Sequence, residues 1–155
     1  SGTGTLILTG ANTYNAGTTV NGGTIQIGNG GTSGSLAGDI TNNANVTFNR
    51  SNTYSFGGII TGTGSLTKLG GGTLTLSGTN DYSGGTIVNA GTLTVTGSSG
   101  LGSTAGALAV NNTNTTASGT DVVLNLSTTS PTTVGSLSDT IATPTSGTNT
   151  VTINN

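Results

Sequence analysis

The 155-residue chain contains no cysteine, histidine, methionine or tryptophan. Glutamate is missing as well, and only six residues carry charge: Arg50, Lys68, Asp39, Asp81, Asp121 and Asp139. Each absence excludes a class of chemistry. Without cysteine there is no disulfide scaffold, thiolate metal site or thiol nucleophile. Without histidine there is no Ser-His-Asp triad, no ordinary zinc site and no switch titrating near neutral pH. Two cations cannot neutralise a row of phosphates, which argues against nucleic-acid binding. No apolar run approaches the roughly 18 residues of a membrane helix, so no transmembrane segment is expected. The chain starts on Ser1 with no charged-then-apolar leader, and is read as a piece or repeat unit of something longer.

What is abundant is small and polar: 36 Thr, 29 Gly, 18 Asn and 17 Ser, nearly two-thirds of the whole. Disorder is the rival reading of such a composition, but disordered segments usually carry high net charge and many Pro, Glu and Lys. Here the formal net charge is -2 and Pro occurs twice. The aliphatic residues, moreover, alternate. Thr5–Thr9, Thr24–Ile27, Val46–Phe48, Thr73–Leu76, Thr92–Thr96, Ala107–Val110, Val122–Leu126 and Thr150–Ile153 all read with period two. Successive strand side chains point to opposite faces, so Leu, Ile and Val go inward and Thr outward. Gly-rich pairs between them supply turns. The chain is all-β.

A long internal repeat sets the architecture. GTLILTGANTYNAGTTVNGGTIQIG spans 4–28 and GTLTLSGTNDYSGGTIVNAGTLTVT spans 72–96, with 13 identities over 25 positions at an offset of 68. A shorter step of about 20 links Leu6 to Ile25, Ile25 to Val46, Val46 to Leu66, and Leu74 to Leu93. Short strands recurring at that step suit a parallel β-solenoid. Each coil then hydrogen-bonds to its neighbours, and a narrow core is filled by small aliphatics. The expected architecture is one continuous solenoid over 1–155, with about 20 residues per coil and roughly seven coils.

These residues carry a resemblance. Gly4-Thr5-Leu6, Leu8, Gly10-Ala11-Asn12-Thr13-Tyr14, Gly17 to Asn21 and Gly23-Thr24 resemble the autotransporter-associated β-strand repeat, the passenger-associated repeat of secreted bacterial surface proteins. So do Gly72 to Leu76, Gly78, Asn80, Tyr82 to Thr86 and Val88 to Leu93 in the second copy. The stretch Ile60 to Lys68 is similar to the strand preceding such a repeat. After Gly97 the match fades. The resemblance implies a right-handed parallel β-helix, exported and displayed at a bacterial surface, and no particular activity.

The expected role is therefore structural: a stalk, fibre or adhesive display outside the cell, with no enzymatic activity and no cofactor or metal. Other readings attach to particular residues. Asn12-Thr13-Tyr14, Asn52-Thr53-Tyr54 and Asn80-Asp81-Tyr82 recur, so Tyr14, Tyr54 and Tyr82 could stack on cell-surface or matrix polysaccharide. The blander reading is a corner device, with Asn bonding the turn backbone. Thr3 with Thr5, Thr73 with Thr75, and Thr92 with Thr94 and Thr96 raise ice binding. Asp39, Asp81 and Asp121 recur at steps of about two coils, and with Asp139 raise a polysaccharide-acting enzyme. Against that, coils rise about 4.8 Å each, leaving such carboxylates near 10 Å apart, and Asx residues favour turns. Because so few groups titrate, stability should be nearly flat from pH 4 to 9. Finally, Leu6 and Leu8 near one end and Val151 and Ile153 near the other read alike, which implies head-to-tail self-association or a tandem array.

Overall fold

The computed structural model describes residues 2–96, 101–103, 106–112, 122–126, 136–141 and 151–154. Every described strand pairing is parallel, and the strands, numbered in chain order, fall into three sheets. The first sheet stacks β1 (Thr5–Leu8), β3 (Thr24–Ile27), β5 (Asn45–Phe48), β8 (Ser65–Lys68), β10 (Thr86–Val88), β12 (Ala107–Asn112) and β14 (Ser136–Ile141). The second stacks β6 (Tyr54–Phe56), β9 (Thr73–Leu76), β11 (Thr92–Val95), β13 (Val122–Leu126) and β15 (Val151–Asn154). The third is shorter, with β2 (Thr18–Val20), β4 (Ile40–Asn42) and β7 (Ile60–Thr61). Following β5, β6, β7 and β8 along the chain visits the three sheets in turn and returns to the first, where Ser65 comes into register with Asn45. This is a β-solenoid.

The registers are those the recurrence in the sequence requires. Leu6 pairs with Ile25, Ile25 with Val46, Val46 with Leu66, and Leu74 with Leu93. Beneath each strand the alternation fills a core column. Ile25, Val46, Leu66 and Leu108 are buried in one column of the first sheet, and Ile27, Phe48, Val88 and Val110 in the next. Phe48 and Phe56 meet inside with ring centroids 5.6 Å apart. The backbone amides that leave the sheets at corners bond to the adjacent coil, as Gly64 N does to Asn42 O at 2.8 Å. Among the described residues, every buried side-chain nitrogen and oxygen has a partner.

Two features depart from the uniform coil expected from sequence. The step that carries Leu74 to Leu93 is not kept beyond β11: Leu93 pairs with Leu124 and Leu108 with Leu137, so these coils are markedly longer. The lengthening of the step begins where the repeat match fades. In addition, the two repeat copies occupy different faces. Copy one places β1, β2 and β3 on the first, third and first sheets, whereas copy two places the equivalent β9, β10 and β11 on the second, first and second. The offset between the copies equals three coils plus about one side of a three-sided coil. Copy two is therefore rotated one face around the axis.

The residues of the expected end-to-end match lie on different sheets. Leu6 and Leu8 lie on β1 at the edge of the first sheet, but Val151 and Ile153 lie on β15 in the second, in register with Val122 and Leu124. The far edge of the first sheet is β14, where the columns of Leu6 and Leu8 continue to the positions of Leu137 and Asp139. Simple stacking of one chain on another would align Leu8 with an aspartate position, not with Val151 or Ile153.

Candidate functional site

The three tyrosines do not form a column. Tyr14 is 56% exposed on the first coil, and its hydroxyl donates to Asn12 Oδ1 at 2.7 Å. Tyr54 is half-buried on β6, and its hydroxyl both accepts from Leu36 N (3.1 Å) and donates to Leu36 O (2.9 Å). One face of its ring is covered by Arg50, whose guanidinium carbon is 4.7 Å from the centroid. Tyr82 is completely buried, with its hydroxyl 2.6 Å from Thr86 Oγ1. Burial without a solvent-facing edge removes Tyr82 from the surface-contact set, and Arg50 occupies the face that Tyr54 would offer a sugar. Tyr14 is the ring that remains accessible.

The asparagines of the same motif act on the backbone. Asn12 Nδ2 donates to Gly10 O and Ser35 O, at 3.1 and 3.0 Å. Asn80 Oδ1 accepts from Ile60 N of the adjacent coil at 2.8 Å and is fully buried. Another corner carries a short amide ladder, with Asn43 Nδ2 donating to Asn21 Oδ1 at 3.0 Å.

Both cations serve the fold, a role the composition did not reveal. Arg50 donates through Nη1 and Nη2 to the carbonyls of Gly34 and Thr32, and through Nε to Asn52 Oδ1 at 3.1 Å. With Tyr54 it pins the glycine-rich segment between β3 and β4. Lys68 stands in the core column between Phe48 and Val88 and is only 2% exposed. Its ammonium donates to three backbone carbonyls: Leu69 O (2.7 Å), Gly70 O (2.6 Å) and Ala90 O (3.1 Å). The signal for it was present in the sequence, since Leu66 and Lys68 share a parity on one strand.

Burial lowers the Lys68 pKa to about 8, because desolvation disfavours the ammonium. The flat profile expected from pH 4 to 9 therefore ends near pH 8. Below pH 8 the ammonium is charged in both states and its desolvation cost is fully present. Between pH 8 and 10 the folded chain releases the proton while the unfolded chain, with an ordinary Lys pKa of about 10.4, keeps it. Stability therefore rises in that window. Above pH 10, ionisation of Tyr82 in the unfolded chain opposes the rise, since burial pushes the Tyr82 phenol up in the folded state. Urea midpoints should increase from pH 8 to pH 10 in the native chain and stay level in Lys68→Met; a level native profile would contradict the assignment.

The remaining candidates do not assemble into a reactive site. Asp39 Oδ1 accepts from Ile59 N of the adjacent coil at 2.8 Å, a bond that ties one coil to the next, and Asp81 is exposed. Asp139 lies on β14 in register with Val110, and Asp121 falls outside the described residues. Among the described residues no three acidic or imidazole groups gather where they could hold a metal. The Thr-x-Thr pairs do not form the flat array that ice binding requires. Those of β9 and β11 share the second sheet, but the flanking rungs present Ser55, Val123 and Asn125, and Thr5 belongs to the first sheet. Hollows mark the surface of the described residues. One of about 510 Å³ is a polar furrow crossing successive coils past Thr24, Asn45, Thr63 and Ser65. Another, about 550 Å³, lies at the first coil between Leu6, Thr18, Val20 and Ile25.

The passenger-associated-transport-repeat family matches this chain twice, at residues 1–27 and 66–95. Those spans hold nearly all of the two sequence copies, including the Asn12 and Asn80 corners. Two stretches of the chain are thus similar to the passenger-associated-transport repeat. A segment of 60 residues is 50% identical to the adhesin BmaC autotransporter of Brucella suis biovar 1 (strain 1330). That match covers 38% of this chain and 2% of the relative, so the chain spans a small fraction of the autotransporter it resembles. No solved structure matches. Both sequence matches are to autotransporter passengers, which indicates an extracellular or cell-surface location. No helix among the described residues is long and apolar enough to cross a membrane.

Proposed function

We propose that this chain is a structural segment of a surface-displayed passenger: a stiff solenoid that forms part of a stalk or fibre and carries no catalytic activity. The observation that carries the reading is the continuous parallel ladder, with both cations and the Asn corners committed to backbone carbonyls and amides. A scaffold that joins every coil to the next by many hydrogen bonds transmits load along its axis, as repeat architectures do. The relative with which it shares a segment is named an adhesin, which is consistent with a role in holding an adhesive element away from the cell.

Force spectroscopy on the chain tethered at both ends tests the proposal. Coils up to β11 should peel one at a time, each releasing about 70 Å of contour length from about twenty residues at roughly 3.5 Å apiece, and the later coils should release more. One cooperative release without such steps would oppose a stack of separable rungs. The alternative is direct adhesion to cell-surface or matrix polysaccharide, favoured by the exposed Tyr14 ring. On a glycan array the stalk reading expects no binding; saturable binding lost in Tyr14→Ala would establish the adhesin instead.

A further inference from the structure

Because the two repeat copies share a sequence but sit in different places, one shows what covers the other. In copy two, Leu74 is 1% exposed, and Leu76, Asn80 and Tyr82 are fully buried. In copy one, the equivalent Leu6 is 60% and Tyr14 56% exposed, and Leu8 and Asn12 are half-buried. The difference comes from one neighbour. Residues 52–64 lie against copy two: Tyr54 pairs with Leu74 and Phe56 with Leu76. Ile60 N donates to Asn80 Oδ1, Asp81 N to Ile60 O at 3.0 Å, and Ser83 N to Gly62 O at 2.9 Å.

We infer that the face of copy one formed by Leu6, Leu8, Asn12, Tyr14 and Thr18 is a docking surface for a further solenoid coil of the sequence type of residues 52–64. The inference rests on the solenoid reading and deepens it, by fixing the chemistry of the partner. Docking changes two side chains. Asn12 Oδ1, now accepting from the Tyr14 hydroxyl, takes a backbone N–H of the incoming coil, as Asn80 takes that of Ile60. Released from Asn12, the Tyr14 ring turns into the core and its hydroxyl bonds Thr18 Oγ1, as Tyr82 bonds Thr86. The backbone amides of the exposed residues Thr9, Thr13 and Asn15 take the places held by those of Ser77, Asp81 and Ser83 in copy two.

Three observations select this occupant. Residues 52–64 carry no charge, and neither does the face from Gly4 to Ile25, so the contact needs no ion pair and is insensitive to salt. The hollow of about 550 Å³ lies beside Leu6 and Thr18, where a neighbouring coil would close it. A second whole chain stacking by its β14 edge fits less well, because that edge sets the Asp139 position in the Leu8 column.

The test is a chain in which a second copy of residues 46–71 is joined directly to Gly4, reproducing the connection of 46–71 to Gly72. Nitration by tetranitromethane, read at each tyrosine by mass spectrometry, reports accessibility. In the parent chain Tyr14 reacts and Tyr82 does not. In the extended chain Tyr14 should react at least tenfold more slowly, approaching Tyr82, and Asn12→Ala should restore several-fold reactivity while leaving Tyr82 protected. Unchanged Tyr14 reactivity, or an added segment whose amides exchange freely while the rest stays protected, overturns the docking inference and leaves the solenoid standing. Fast exchange at β8 to β11 in the parent chain would instead refute the solenoid itself.

Discussion

Gly72→Ala should cost about 3 kcal/mol or more, at or beyond the upper end of the roughly 1–3 kcal/mol typical of overpacked cores. Gly72 is buried and does not have a positive φ, so its requirement is space and not backbone conformation. A Cβ there would strike the Asn52 carbonyl oxygen and lie 2.6 Å from the Asn52 amide nitrogen, both backbone atoms of the preceding coil. Crowded side chains can rotate away, but a backbone ladder cannot. Gly72 N is bonded to Arg50 O at 3.0 Å, and Gly72 O receives Thr92 N at 3.2 Å. Relief requires parting coils on both sides. Against a total stability of about 5–15 kcal/mol for an ordinary domain, urea denaturation should show a large fall in midpoint. A change below about 1 kcal/mol, the centre of the range for point mutations in general, would mean that the coils are not so close.

The fold was legible in the sequence because the inward columns are written by period-two alternation, and the coil length by the step between like residues. Leu6 with Ile25 and Leu74 with Leu93 needed only counting. Most of the missed strands were short, such as β2, β4 and β7, too brief for alternation to show, and the six-residue β14 was missed as well. The longer steps after Gly97 were missed because no repeat there supplied a step to count. The face rotation of copy two was implicit in the offset between the copies, which is not a whole number of coils. It went unread because sequence similarity suggests equal surroundings.

The candidate site was less legible for a related reason. Identical motifs acquire opposite burial according to what stacks on them, so the three Asn-x-Tyr units looked equivalent although Tyr82 is core and Tyr14 is surface. The roles of Arg50 and Lys68 depend on carbonyls brought in from other parts of the coil stack, such as Gly34 O and Ala90 O. Residue counts carry no such information. Charge scarcity directed attention away from nucleic acid and catalysis, yet it concealed that the few cations are structural.

Two copies of one sequence thus occupy unequal places in a single parallel stack, the second sealed between coils and the first at an open face. A paired stability measurement probes that inequality most directly. Leu74→Ala removes a fully packed side chain flanked by Tyr54 and Leu93, and deletions of that kind cost about 2–5 kcal/mol. Leu6→Ala changes the equivalent residue, which is 60% exposed, and surface changes stay within about 0.5 kcal/mol. Urea unfolding of the two variants beside the parent should therefore show a large loss for Leu74→Ala and almost none for Leu6→Ala. Equal losses would place the two copies in equivalent surroundings and contradict the stack described here.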